Sequence, residues 1–322
     1  MKTTILTHSD CDGICAGAVA LSMFPGSDVF FTKPVSLLKD LGEIRLGNRI
    51  VVCDIALTER DVTSVLDFFE DSGLEIMYFD HHPISKENAK RLKKIAKVYV
   101  TGEASSSELV YRYFQDSLPR ERVWAAIYGA IGDYSANTQF VKNRLINWDA
   151  RALYFEASTI VLGIKHDDFD TYDAKRRIVK TVASGQNPSD VAGLVQAAKE
   201  VVNKEFDLYE LVKKEAKKSG EVGYVKDLPM FGFRGPSALF ASTATNTKIG
   251  ISVHSKQTHM DITMRIRDYK IPANEFCSRA AAKVGGSGGG HPQAAGARIP
   301  PGKMSIFIKE LNSLLKEYGI QK

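Results

Sequence analysis

At 322 residues, 44% hydrophobic and 25% charged, the chain has the make-up of an ordinary globular protein with room for two domains. Its apolar runs fall far short of the roughly 18 residues a spanning helix needs, so no membrane is expected as a partner. The formal charge of +5 accommodates an anionic substrate without requiring one, and four cysteines without a Cys-x-x-Cys pair (Cys11, Cys15, Cys53, Cys277) suggest packing thiols rather than disulfides or zinc.

Met1-Lys2 leads straight into a strand, Thr3–Leu6, without the flanks of a secretory signal, so the cytoplasm is the expected compartment. The strand ends on Thr7-His8-Ser9-Asp10-Cys11-Asp12-Gly13, which places one imidazole and two carboxylates on a single turn before a helix over Ile14–Met23. Carboxylates two residues apart repel, and a buried pair needs a cation. The plainer reading of the turn is a solvated loop with an aspartate as helix N-cap. Strands are expected at Val29–Phe31, Arg49–Cys53, Glu75–Phe79 and Val98–Val100. Helices are expected from Thr58 to Glu70, over Ser85–Lys94, from Ser105–Ser107 through Tyr113, and over Arg122–Ile131. This alternation implies a mostly parallel sheet with helices on both faces, which binds ligands beyond the carboxyl ends of its strands. There the sequence puts His8, Asp10 and Asp12 after the first strand, Asp54 after Ile50-Val51-Val52-Cys53, and Asp80-His81-His82 after Ile76-Met77-Tyr78-Phe79. Asp133 ends the helix that runs through Gly129-Ala130-Ile131. Three strands delivering acid or imidazole to one sheet edge, with Asp133 beside them, point to a metal site.

From about Asn147 to Lys218 the pattern turns helical, with Trp148, Leu153, Phe155, Ile160, Val161 and Leu162 as one apolar stripe and a second run from Pro188. Gly220-Glu221-Val222-Gly223 is a break. After it come a strand at Gly223–Val225, an apolar segment Pro236–Ala241, and strand-like alternation over Ile249–His254 and Asp261–Arg267. The boundaries expected are a catalytic domain over 1–185, a helical connector over 186–220 and a smaller mixed α/β domain over 221–322. A helix-like Phe276–Val284 precedes the run Gly285-Gly286-Ser287-Gly288-Gly289-Gly290-His291. So many glycines fill no core and suit a backbone that approaches a phosphate closely. The run lacks the Lys-Ser/Thr ending of a Walker loop, and no βαβ unit surrounds it as a dinucleotide fingerprint requires.

Taken together, these motifs resemble the DHH phosphoesterase family with the DHH-associated C-terminal domain, whose members include RecJ-type exonucleases and nanoRNases. His8-Ser9-Asp10-Cys11-Asp12-Gly13 is similar to the family's first motif. Asp54 corresponds to the second, Asp80-His81-His82 to the third and Asp133 in Gly132-Asp133-Tyr134 to the fourth. Gly288-Gly289-Gly290-His291 with Ala294-Ala295-Gly296 is similar to the hallmark of the C-terminal domain. Manganese pyrophosphatases of the same superfamily space the first motif more widely and lack the glycine-rich domain, which argues against that activity.

The resemblance implies two divalent metal ions, Mn²⁺ first, with Mg²⁺ or Co²⁺ as substitutes. His8, Asp10 and Asp54 would hold one. Asp12, Asp54, His81 and Asp133 would hold the other, with Asp54 bridging. Asp80 would orient its neighbours and His82 would contact the scissile phosphate. Arg265, Arg267, Gly288, Gly289, Gly290 and His291 would grip substrate, the two arginines lying two apart on a strand and so on one side. The expected activity is a phosphodiesterase or exonuclease that cuts short oligonucleotides or single-stranded DNA or RNA to nucleoside monophosphates. Alternatives are a 3′,5′-bisphosphonucleoside phosphatase, a cyclic-dinucleotide phosphodiesterase, an RNA-binding module, or a catalytically idle scaffold. The resemblance also leaves room for a homo-oligomer and for a DNA-repair or replication protein as partner.

Overall fold

The computed structural model describes residues 1–229, 232–268 and 270–320. The chain forms two compact units, Met1–Val201 and Val202–Lys322.

In the first unit, strands and helices alternate: β1 (Thr3–Thr7), α1 (Cys11–Met23), β2 (Asp28–Phe31), α2 (Leu37–Glu43), β3 (Arg49–Cys53), α3 (Val62–Asp71), β4 (Glu75–Asp80), α4 (Lys86–Ile95) and β5 (Lys97–Val100). The helices α5 (Ser106–Phe114), α6 (Val123–Gly132), α7 (Gln139–Asn147), α8 (Ala150–Gly163) and α9 (Tyr172–Ala183) follow. The five strands make one sheet in the order β2-β1-β3-β4-β5, and every pairing is parallel. β-Branched and aromatic residues fill the central strands, and residues alternate between two cores. Ile5, Val51, Cys53, Met77 and Phe79 pack with α1, α5, α6, α8 and α9 on one face. Leu6, Ile50, Val52, Ile76 and Tyr78 pack with residues of α2, α3 and α4 on the other. The four cysteines are buried and free.

Several helix starts follow from their caps. Ser85 Oγ accepts from Asn88 N–H, and Ser105 Oγ accepts from Glu108 N–H. α3 begins at Val62 rather than at Thr58, because Thr58 closes a turn in which its carbonyl accepts from both Asp61 and Val62 N–H. Of the apolar stripe read from Trp148 to Leu162, Leu153 and Ile160 are buried on α8 together with Ala157, whereas Trp148 and Phe155 are about half exposed. α2 and α7 went unread because both are short and mostly polar outside one or two buried residues.

α10 (Leu194–Glu215) spans the division between the units. The second unit then contains β6 (Lys217–Ser219), β7 (Val222–Lys226), α11 (Arg234–Thr245), β8 (Ile249–Ser255), β9 (Met260–Ile266), α12 (Ala273–Lys283), β10 (Ser287–His291), β11 (Ala294–Ile299) and α13 (Met304–Glu317). Its sheet runs β10-β11-β9-β8-β7-β6, parallel only between β7 and β8. The glycine run is not a loop. From Ser287 onward it is an edge strand in a hairpin, with Gly289 opposite Gly296 and Gly290 opposite Ala295. Among the described residues, no helix is long and apolar enough to cross a membrane.

Candidate metal centre

Three neighbouring central strands, β1, β3 and β4, end at the same sheet edge. β1 delivers His8, and the turn after it brings Asp10 and Asp12 to the start of α1. Asp10 caps that helix, its Oδ1 accepting from Gly13 N–H at 3.0 Å. The aspartate that the plainer reading made a mere cap thus also stands in the cluster. The turn needs Gly13, since a Cβ there would run into the His8 carbonyl. β3 delivers Asp54, whose φ of 59° lies in the left-handed region that Asp tolerates better than most residues. β4 ends on Asp80, with His81 and His82 following. Asp133 arrives from the C-cap of α6.

The structure brings these side chains together in three overlapping groups. His8, Asp10 and Asp54 each offer a ligand atom within 4.8 Å of the others, and so do Asp12, His81 and Asp133, and Asp54, His81 and His82. Asp54 and His81 each belong to two groups. His8 Nδ1 stands 2.8 Å from Asp10 Oδ2 and 3.8 Å from Asp54 Oδ2. His81 Nε2 is 3.4 Å from Asp54 Oδ1, and its Nδ1 is 3.6 Å from Asp133 Oδ2. His82 Nδ1 lies 2.8 Å from Asp80 Oδ1, and the His81 and His82 rings meet edge to face at 4.7 Å. Among the described residues no cysteine joins these groups; Cys11 points its thiol toward the Tyr128 carbonyl and Cys53 is in the core.

The electrostatics describe a site short of positive charge. Asp54 is only 4% exposed. Burial, and then the charges of Asp10, Asp12, Asp80 and Asp133, hold its carboxyl well above the usual range. Burial also raises Asp12, against relief from His81 and Ser107, and raises Asp133, with Asp12 adding to it. Asp10 goes the other way: desolvation pulls it up, but the hydrogen bond and charge of His8, with Gly13 N–H, bring it down to about 2. Desolvation lowers His8 and His82, but Asp10 and Asp80 respectively outweigh it and raise both. A mixed imidazole and carboxylate set whose acids resist ionising together fits divalent cations such as Mn²⁺ or Mg²⁺.

One support was not read from the sequence. The buried N-terminus of α5 points at the cluster: Ser106 and Ser107 N–H donate to Asp12 Oδ2 and Oδ1 at 2.7 and 3.0 Å, and Ser106 Oγ donates to Asp54 Oδ1 at 3.1 Å. Ser105, Ser106, Ser107 and Glu108 are all fully buried. The signal was there in three serines and a glutamate heading an apolar helix, more polar side chains than a single cap uses. α6 closes on this corner through Gly129, where a Cβ would lie 2.7 Å from Asp12 Oδ1 and run into Ser107.

The residues read as a substrate grip lie in the second unit. Arg265 is on β9, half-buried, with its guanidinium beside Gly235 at the start of α11. Arg267 falls one residue past the end of β9 and is exposed, so strand alternation does not fix its side. Gly288, Gly289 and Gly290 form β10 with Ser287 and His291; the side chain of His291 lies outside the described residues.

Comparison with known proteins agrees with this architecture. Residues 2–132 match the model of the DHH family N-terminal domain and residues 235–317 that of the DHHA1 domain. A DHH-domain structure described as a member of the s1p family of ribosomal proteins superposes with a TM-score of 0.70 at 14% identity, covering 98% of this chain and 86% of that one. RecJ from Thermus thermophilus, solved with Mn²⁺, gives 0.65 at 16% identity over 98% of this chain, which spans 52% of RecJ. The pGpG-specific phosphodiesterase PggH from Vibrio cholerae gives 0.59 at 13% identity, covering 100% of both chains. No curated protein matches this chain by sequence.

Proposed function

We propose, for a chain that belongs to the DHH family and carries a DHHA1 domain, a metal-dependent phosphodiesterase that shortens small oligonucleotides or single strands to nucleoside monophosphates. The observation that carries this reading is the sharing of Asp54 and His81 between ligand groups at one sheet edge. Two adjacent cation positions joined by common ligands suit phosphoryl chemistry better than a single structural ion. In this reading His8, Asp10 and Asp54 hold one ion, Asp12, Asp54, His81 and Asp133 hold the other, and Mn²⁺ is the ion expected. When bound, the ions supply an activated water and neutralise charge gathering on the phosphate oxygens. The chain's own residues do the rest. Ser106 and the α5 N-terminus fix the angles of Asp54 and Asp12. Asp80 engages His82 Nδ1, which orients the ring's Nε2 for a phosphate oxygen.

The second unit would grip the substrate through Arg265, which can meet a phosphate with two parallel hydrogen bonds, and through the backbone of Gly288–Gly290 and His291. One observation favours short substrates: the net charge of +5 is small for a protein that tracks a long strand. Incubation of the protein and Mn²⁺ with end-labelled RNA and DNA of graded length, beside a 3′,5′-bisphosphonucleoside, tests the proposal. Mononucleotides released from oligomers of a few residues are expected, with chelator abolishing their release. Phosphate release from the bisphosphonucleoside alone would reassign the enzyme, and no turnover of any substrate would leave a scaffold.

A further inference from the structure

One face of the second unit's sheet carries a charged cluster that the reading above does not use. Strand register sets which residues share that face. Ser287, Gly289 and His291 on β10 stand opposite Arg298, Gly296 and Ala294 on β11, and these stand opposite Asp261, Thr263 and Arg265 on β9. The alternate residues, among them Ala295, Ala297, Ile262 and Met264, are buried in the core on the other side. Three rows therefore cross the face. The Arg265 row comes first. The middle row, Gly289, Gly296 and Thr263, forms a nearly bare floor. A Cβ at Gly289 would meet nothing within 4 Å, and one at Gly296 only the Ile262 carbonyl at 3.3 Å.

The third row is cationic. Arg298 Nε donates to Asp261 Oδ1 at 3.1 Å, and Lys256 Nζ lies 3.0 Å from Asp261 Oδ2. Arg234, the first residue of α11, stands 3.6 Å from the same carboxylate, and His259 Nε2 lies 3.4 Å from Oδ1. Three permanent cations thus share one acid. Asp227, whose carboxylate accepts from Ser255 N–H beside Lys256, pairs with Lys226. Burial raises the Asp261 carboxyl, but Lys256 and Arg298 outweigh it and hold the group ionised. Asp261 is 16% exposed while Arg298 is 61% exposed, so the acid lies under a cationic surface. Arg298 meets the acid through Nε, leaving the terminal nitrogens of its fork uncommitted to Asp261.

We infer that Arg298, Lys256 and Arg234, gathered by Asp261, form a second phosphate subsite for an oligonucleotide. The inference rests on the phosphodiesterase reading above. Asp261 and Arg265 are four residues apart on one strand, about 13 Å at the usual rise. That is more than one nucleotide step, so the subsite holds a phosphate at least two nucleotides from the one at Arg265. The glycine floor between the rows gives a sugar or base a flat surface. Substrates of three or more nucleotides reach both rows, whereas a dinucleotide reaches one.

Turnover of a labelled series from two to five nucleotides, in the full chain with Mn²⁺, tests this. The double variant Arg298→Gln with Lys256→Gln should lose about tenfold in kcat/KM on tetranucleotides, all of it in KM. Dinucleotide turnover should change less than about twofold, and the salt slope on tetranucleotides should fall by about one or two. Unchanged dinucleotide turnover also shows that the variant is folded. If the double variant does not fold, Lys256→Gln alone, on the exposed turn, should give a smaller effect with the same length dependence. Equal loss at both lengths, or no loss at either, overturns the subsite and leaves the cluster a pin between β9, β11 and α11. A wild-type protein that cleaves no oligonucleotide overturns the underlying reading instead.

Discussion

The two sheets offer their chemistry in different ways. The parallel sheet of the first unit presents it at strand ends, where the carboxyl ends of three strands converge and the residues sit at or just beyond the ends of strands and helices. The mixed sheet of the second presents it across a face, where strand alternation and missing side chains decide what is exposed. The end site collects buried acids: Asp12, Asp54 and Asp80 are each under 5% exposed. The face site collects half-exposed bases around one acid. A strand end can hold a special backbone angle, such as that of Asp54, because no ladder continues through it. A sheet face cannot do so without breaking register. Its selectivity comes from rows, and rows suit a repeating polymer.

The largest expected effect breaks the end site. Asp54→Asn should lower Mn²⁺-dependent hydrolysis on the order of a thousandfold or more, since one carboxylate serves two ligand groups. Asn also tolerates the left-handed φ, so the fold should survive. The metal-free protein should become more stable at neutral pH. The Asp54 carboxyl is raised in the fold, so its contribution is most favourable below its unfolded value of about 4 and declines as pH rises through the folded value. The melting-temperature gain of the variant over metal-free wild type should therefore open with rising pH and close in acid. Added Mn²⁺ should reverse the order by stabilising wild type alone. A gain that stays constant with pH would separate Asp54 from the repulsion assigned to it.

A smaller effect comes from behind the ligands. Ser106→Ala removes the hydroxyl that donates to Asp54 and leaves the backbone N–H groups on Asp12 in place. Titration calorimetry should show Mn²⁺ affinity down about 10- to 100-fold, with Ser106→Thr restoring part of it. Unchanged affinity would confine the serine to capping α5. Arg265→Ala should cost about tenfold in KM for a phosphate-bearing oligonucleotide with metal content unchanged, as its place on the face requires. Equal damage on a minimal activated phosphodiester, or loss of bound Mn²⁺, would move Arg265 from the grip to the catalytic centre or the fold.

The legible parts of this molecule are those where one residue type has few uses. β3 is read residue for residue, because a β-branched apolar run between polar turns has no other stable home. The strand-end position of Asp54, Asp80, His81 and His82 follows from the same reasoning. The α5 N-terminus was legible as a cap but not as a clamp, because the donors are backbone amides, which every residue carries. The Asp261 cluster was not legible at all. Its other members are spread along the sequence: strand register sets Arg298 opposite Asp261, the turn between β8 and β9 brings Lys256 and His259, and the start of α11 brings Arg234. The glycine run carried no strand signal, since glycine weakens strands on average. Here pairing with Ala294–Ile299 fixes an extended edge that glycine alone would leave loose.

That edge gives the finest test of the comparison, because two adjacent glycines face opposite sides of one strand. A Cβ at Gly288 would sit 2.8 Å from the Cys277 carbonyl of α12, a rigid backbone atom. Gly288→Ala should therefore push the strand off its helix and cost about 1–3 kcal/mol of stability, read as a lower melting temperature. A Cβ at Gly289 meets nothing within 4 Å, and its φ lies outside the positive range, so Gly289→Ala should melt like wild type or slightly higher. Its methyl group rises instead from the floor between the Arg265 and Arg298 rows. The expected cost there is a few-fold rise in KM for tri- and tetranucleotides, with metal content and kcat unchanged. If Gly289→Ala binds every substrate as wild type does, the floor is not where substrate lies, and the rows would be surface charge without a polymer between them. If instead both alanines destabilise equally, the register assigned to β10 is wrong, and with it the side of the sheet on which the glycines lie.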